Sequence, residues 1–263
     1  MNVPALVAGC RDDLRRLRRR FHTYPELSLQ ESGTIAAICA ELNRFGIPHR
    51  EIEKGGVIAT VEVALPGKTL LLRADMDALP MQESECNLAG PRTCRSAVDG
   101  VMHACGHDGH TAILLVVARL LQQNRQQLKG RYLLVFERGE EEFDGIEALM
   151  QELDATEHYD GAWALHLMAG LDTGKVSVEA GPRMSGPFSF SYTIEGKSGH
   201  GSRTDLANNP LNTFLDFYQS VLLLKGQRAN PYYPVTFSIG SIHAGTASNI
   251  VPPELTFSGT CRI

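Results

Sequence analysis

Residues 102–110 read Met-His-Ala-Cys-Gly-His-Asp-Gly-His, and the stretch that follows, 109–124, carries apolar side chains nearly all the way round a helix. A helix without a broad polar face has to be covered by other elements, so this one belongs in a layered fold, packed on a sheet. The polar cluster ahead of it, three imidazoles, a thiol and a carboxylate, fits two roles. Thiolate and imidazole are ligands for zinc and similar divalent ions, and the flanking glycines let the backbone fold tightly around an ion. Alternatively, a polar loop caps the helix, with Asp108 and His110 doing so.

The rest of the chain supports the layered reading. Strand-like runs at 56–63, 69–74, 131–137 and 161–167 alternate with helical patterns at 32–45, 109–124 and 146–153, an order that predicts an α/β layer with helices on a largely buried sheet. At the start, Val7, Cys10, Leu14, Leu17 and Phe21 recur three and four apart on one predicted helix, which Pro25 stops. The arginines beside them, Arg15, Arg16, Arg18, Arg19 and Arg20, read as its solvated face. After Leu171, Gly174, Gly181, Pro182, Gly186 and Pro187 punctuate the chain. An alternating strand at 188–195, a helix opening near Pro210 and strands at 235–242 and 255–263 follow. The expected organisation is two domains, 1–183 and 184–263, and a chain of 263 residues with 43% apolar side chains is long enough for both.

Charge and cysteine usage narrow the function. With 25 Lys+Arg against 30 Asp+Glu the net charge is −5, without the basic excess of a nucleic-acid binder. No apolar run approaches the ~20 residues of a membrane span. The six cysteines form no Cys-x-x-Cys pair and no disulfide framework, which points to a reducing cytoplasm.

Further groups flank the histidine loop. Glu140-Glu141-Glu142 follows the strand at 131–137, where adjacent carboxylates are relieved of repulsion if one ligates a metal and another serves as general base; the alternative is a solvated turn. His166 lies near the end of the run 161–167, and Asp75 and Asp77 follow Leu70-Leu71-Leu72-Arg73. A satisfied core histidine and a chain-turning aspartate pair are the plainer readings. Because these groups lie at predicted strand ends, all of them can meet at one sheet edge.

Four ordered stretches resemble the metal-dependent amidohydrolases of the aminoacylase, hippurate hydrolase, indole-acetyl-amino-acid hydrolase and carboxypeptidase G family. They are Phe21-His22-Thr23-Tyr24-Pro25-Glu26-Leu27-Ser28, Leu72-Arg73-Ala74-Asp75-Met76-Asp77-Ala78-Leu79-Pro80, the run from Gly100 to His110, and Gly196-Lys197-Ser198-Gly199-His200-Gly201. The resemblance implies a mixed-sheet metallopeptidase catalytic domain with helices on both faces, and an inserted α+β, ferredoxin-like lid and dimerisation domain, here incomplete. It implies Cys105, His107, Glu141 and His166 as metal ligands, Glu140 as general base, and His200 as the group that polarises the scissile carbonyl. Asn249 and Arg262 match positions that hold the substrate's carboxylate, and an arginine fork suits that task. Asp75 matches a position that orients a histidine ligand, but Arg73 stands where relatives carry the partnering histidine, so Asp75 is expected behind the ligands rather than among them.

The implied cofactors are divalent ions, two in a complete site, with zinc or manganese expected and cobalt or nickel also compatible with the donors. The implied substrate is an N-acyl or N-aroyl amino acid, with a dipeptidase or carboxypeptidase activity, or an inactive dimerising homologue, as the alternatives. A homodimer through the lid domain, no nucleic acid and no membrane complete the expectation. Cys105 should be sensitive to oxidation when metal-free. Three departures stand out. Glu137-Arg138-Gly139 replaces the usual Gln-Pro-Ala before the glutamates, Asp205 stands near a missing lid histidine, and relatives continue past residue 263 to a final histidine ligand. A chain ending there is expected to hydrolyse weakly and to associate through uncovered surface.

Overall fold

A computed structural model describes residues 2–263 other than Phe143, Pro182, Pro231 and Pro234. The chain opens with helix α1 (Val3–Ala8) and helix α2 (Arg11–Thr23). The single helix expected there is broken at Gly9 and Cys10. Cys10 is buried at the start of α2, whereas Val7 is exposed, so the apolar spacing did not mark one continuous buried face. Helix α3 (Ser32–Phe45) ends on Gly46 at φ 67°, the left-handed position that glycine fills without a Cβ penalty. At its other end the Glu26 carboxylate accepts from the free backbone N–H groups of Gly33 and Thr34, at 3.0 and 2.6 Å.

The main sheet is built from β1 (His49–Ile52), β2 (Gly56–Glu62) and β3 (Leu65–Asp75), joined later by β6 and β7. A two-residue hairpin, β4 (Cys86–Asn87) with β5 (Gly90–Pro91), intervenes. Then come α4 (His107–Gln123), β6 (Lys129–Glu137), α5 (Asp144–Thr156) and β7 (Gly161–Ala164). The sheet order is β1-β2-β6-β3-β7, with β2 antiparallel to its neighbours β1 and β6 and β3 parallel to both β6 and β7.

Side-chain alternation along β6 splits the core in two. Leu134 and Phe136 join one apolar cluster with Leu17, Ile38, Leu42 and Leu115, from α2, α3 and α4. Leu133 and Val135 join another with Leu149 and Leu153 of α5. Helices therefore cover both faces, as the patterning required. Strand β7 stops at Ala164, short of the expected 167, so His166 lies in the loop beyond it.

The chain divides into two compact units, Met1–Lys175 and Val176–Ile263, so residues 176–183 fall with the second. That unit contains β8 (Pro187–Glu195), β9 (Gly199–His200), α6 (Pro210–Arg228), β10 (Thr236–Ala244), β11 (Ile250–Val251) and β12 (Glu254–Arg262). Its sheet has the order β10-β12-β8, all antiparallel, and β9 pairs with β11 as a short ribbon. Phe214 of α6 is buried against Leu255 and Phe257 of β12, and Phe217 and Tyr218 pack beside it. The described cysteines are all free thiols, and among the described residues no helix is long and apolar enough to cross a membrane.

Candidate metal centre

Parallel pairing brings the candidate groups to one edge. Asp75 at the end of β3 is in register with Glu137 at the end of β6, and Arg73 is in register with Ala164 at the end of β7. The loops that leave these strands therefore emerge together, at the carboxyl ends where open α/β sheets place their sites. The loop to His166 lies against the first turn of α4. A Cβ on Gly109 would sit 2.5 Å from Leu167 Cδ1, so a larger residue there requires the Leu167 side chain to shift.

Three overlapping sets of donors result, each with ligand atoms within 4.8 Å of one another: Cys105, His107 and His166; Asp75, His107 and His110; His107, Glu140 and Glu141. His107 is common to all three. Its Nδ1–H donates to Asp77 Oδ1 at 3.0 Å, which leaves a lone pair on Nε2. That Nε2 is buried and without a hydrogen-bond partner among the described residues, 3.8 Å from Glu140 Oε2, 3.9 Å from Glu141 Oε1 and 3.8 Å from Asp75 Oδ2. Glu141 Oε1 is likewise buried and unpartnered among them. Cys105 Sγ lies 3.4 Å from His166 Nε2. Lone pairs of nitrogen, oxygen and sulfur converging on one another, two of them unsatisfied, are what a divalent cation relieves, and the donor set fits one.

The charges agree. Burial raises the Glu140 pKa, with Glu141 and Asp75 adding to the rise, so this carboxylate is shifted toward the range of a working base. Burial opposes charging of His107, but its hydrogen bond to Asp77 and the nearby Asp75 and Glu140 outweigh it and raise its pKa. Asp75 is pushed up by burial yet drawn down to about 2 by the His110 hydrogen bond and the charges of His107 and Arg73. Burial, with Glu141 and Glu140 beside it, pushes the Cys105 thiol up to about 12. Without a cation Cys105 therefore stays protonated at neutral pH, which corrects the expectation of an oxidation-prone thiolate in the metal-free site.

Asp75 and Asp77 divide the work of holding the histidines. The carboxylate that orients His107 is Asp77, which also accepts from Ser28 Oγ at 2.7 Å and from the Glu141 backbone N–H at 3.0 Å. Asp75 instead accepts from Arg73 at 2.7 Å and from His110 Nδ1–H at 2.6 Å. His110 Nε2 in turn accepts the Leu167 N–H at 2.9 Å, so the imidazole fixes the backbone next to His166. Asp77 and His110 were thus in view as residues but not in these roles. The signal for Asp77 is its place in the Asp-x-Asp pair with Ser28 arriving from a distant motif. His103 belongs to none of the three sets, and neither of its ring nitrogens has a partner among the described residues.

The substitution before the glutamates has a local explanation. Glu137 accepts from Arg73 Nε at 2.7 Å, while buried Glu31 accepts from Arg138 Nε at 3.0 Å and from the Gly139 N–H at 2.7 Å. Gly139 has φ 65°, and a Cβ there would lie 2.7 Å from Leu29 Cδ2. The turn delivers Glu140 and Glu141 toward His107 and leaves Glu142 exposed and outside the donor sets.

In the second unit, His200 and Asn249 come together on the β9–β11 ribbon, where the Gly201 N–H donates to the Asn249 carbonyl at 2.8 Å. His200 is exposed, and its Nδ1 lies 2.8 Å from Ser202 Oγ. Arg262 ends the nine-residue β12, whose other end, Glu254, lies near Asn249 in sequence. At ~3.3 Å per residue, that places Arg262 some ~26 Å along the strand from Glu254, so this unit does not bring Asn249 and Arg262 together.

Residues 71–254 match the model of peptidase family M20/M25/M40, and the chain belongs to that family. It is 34% identical to an N-acyl-L-amino acid amidohydrolase of Geobacillus stearothermophilus, over 99% of this chain and 69% of that protein. It is also 34% identical to thermostable carboxypeptidase 1 of Saccharolobus solfataricus, over 98% and 67%. A Bacillus subtilis crystal structure described as a dinuclear metal-binding peptidase of the M20 family superposes with a TM-score of 0.74 at 32% identity, over 95% of this chain and 63% of that one. The curated relatives are matched over 54% to 69% of their lengths.

Proposed function

We propose that the protein to which this chain belongs hydrolyses the amide bond of N-acyl or N-aroyl amino acids, of hippurate type, in the cytoplasm. The observation that carries the reading is the convergence of Cys105, His107, Glu141 and His166, with buried unpartnered lone pairs on His107 and Glu141, beside a Glu140 of raised pKa. Cys105, His107, Glu141 and His166 would hold divalent ions, zinc or manganese. Such ions, when bound, polarise a carbonyl and lower the pKa of water.

The side chains do the rest. Glu140 takes a proton from the attacking water as its oxygen bonds to the acyl carbon, and returns that proton to the nitrogen as the C–N bond breaks. Asp77 keeps His107 in the Nε2 lone-pair tautomer, and the Asp75–His110 pair holds the loop of His166. His200 would polarise the scissile carbonyl, and Asn249 and Arg262 would grip the substrate's carboxylate. Because Arg262 stands at the far end of β12 from Asn249, a homodimer formed through this unit is the arrangement proposed for both to serve one carboxylate.

A second reading, cleavage of a true peptide bond, draws on the 34% identity to a carboxypeptidase. A panel of benzoyl-amino acids and dipeptides, offered to the metal-loaded wild type and to Glu140→Gln, tests both. Turnover of benzoylglycine above dipeptides, abolished by the substitution, is expected. A preference for dipeptides selects the second reading, and turnover that survives Glu140→Gln contradicts the mechanism.

A further inference from the structure

Away from the donor sets, the first unit has a cavity of about 340 Å³ lined by Arg15, Arg18, Arg19, Asn87, Arg92, Thr93 and Cys94. The arginine face of α2 is solvated as the sequence suggested, with Arg15 and Arg19 exposed and Arg18 partly so, and the segment after the β4–β5 hairpin brings a fourth guanidinium, Arg92, beside these three. Crowding like charges around one space is unfavourable by itself, and an anion is what makes it favourable.

The acids at hand are already engaged. Arg18 Nε lies 2.9 Å from Asp108 Oδ2, and Arg92 Nη1 lies 3.4 Å from Glu83 Oε1. Both carboxylates are buried and also hold His22, at 2.7 Å from Asp108 and 2.9 Å from Glu83. Arg15 has only a 3.9 Å contact with the exposed Asp12, and among the described residues Arg19 has no acidic partner. Arg92 Nε is buried with no hydrogen-bond partner among the described residues. Planar guanidinium forks flanked by the hydroxyl of Thr93 and the amide of Asn87 match the tetrahedral oxygens of a phosphate group. The volume sits at the lower end of the ~300–1,000 Å³ of small-molecule sites, room for a phosphate with a small polar body.

We infer that this cavity is a binding site for a small phosphate-bearing molecule, separate from the metal centre and independent of the hydrolase reading. Because Arg18 is shared with Asp108, the residue after His107, an occupant draws on a group that steadies the metal-binding loop.

Calorimetric titration of the full chain at low ionic strength with inorganic phosphate, ribose 5-phosphate and ribose tests the site, with wild type beside the double variant R15Q/R19Q. Neither arginine belongs to the metal centre, and both are on an exposed helix face, so the variant is expected to keep the wild-type melting temperature. Saturable binding of both phosphates but not of ribose is expected, weakened about tenfold or more in the variant and by added salt. Tighter binding of ribose 5-phosphate than of phosphate assigns a phosphate ester as the occupant; equal binding assigns the free ion. No binding at ~10 mM, or the same affinity in a folded double variant, overturns the proposal.

Discussion

The two units are stabilised in different ways. The first buries side chains on both faces of a five-stranded sheet, with Ile38, Leu42, Leu115, Leu134 and Phe136 on one side and Leu133, Val135, Leu149 and Leu153 on the other. The second lays one helix on three strands, with Phe214, Leu255 and Phe257 as the buried cluster between them and Phe190, Phe217 and Tyr218 partly covered. Phe188, Tyr192 and Leu223 there remain more than half exposed. The candidate groups divide along this contrast. Cys105, His107, Glu140 and Glu141 lie beside strand and helix ends of the well-packed unit, whereas His200, Asn249 and Arg262 stand exposed on the thinner one.

The largest expected effect separates chemistry from scaffold. Glu140→Gln should lower kcat by about 10²–10⁴-fold with metal content unchanged, while His110→Phe should lower metal affinity by freeing the Leu167 backbone; assays paired with metal analysis distinguish them. Next comes packing. Phe136→Ala should cost about 3–5 kcal/mol in urea unfolding followed by the fluorescence of Trp163, the one tryptophan, which lies in β7 of the first unit. Leu223→Ala, on an exposed stretch of α6, should stay within about 0.5 kcal/mol when unfolding is followed by far-ultraviolet circular dichroism, which reports both units. Equal costs would break the contrast between the units. Hydrogen exchange sharpens it: amides of β3 and β6 should exchange through global opening and those of β8 and β10 through easier, local opening.

Acid gives the smallest effect. Glu41 and Glu157 are pushed up by burial but held below the usual carboxylate value of 4.5 by Arg16 and Arg44, and by Arg131 and Arg50, respectively. Their lowered folded pKa values add stability that is complete above pH 4.5 and is lost as the pH falls through those values. The described ion pairs of the second unit, Arg183–Glu179 and Arg203–Asp205, are exposed, so its exchange protection should change less over that window.

Much of this was legible in the sequence because it rests on local periodicity. Helix α3 runs over the stretch read from its pattern, and the alternation in β6 gave a sheet covered on both faces. The histidine loop and the glutamate run announced themselves by residue type. Pairings between distant segments were hidden. Nothing in the spacing of Asp75 and Asp77 says which one meets His107, because the answer depends on Ser28 and the Glu141 N–H arriving from other elements. The arginine run is the solvated face its pattern indicates, but that Arg92 joins it was hidden, because Arg92 lies more than seventy residues away along the chain. The break at Gly9 was equally silent, since Cys10 is buried at a helix start much as it would be mid-helix.

Metal content bears most directly on the donor sets. Protein loaded with zinc or manganese, desalted and analysed by plasma emission, should retain bound ion in the wild type and lose most of it in Cys105→Ala, with the far-ultraviolet spectrum unchanged. Equal metal in both proteins, or none in either, would contradict a centre built on Cys105, His107, Glu141 and His166.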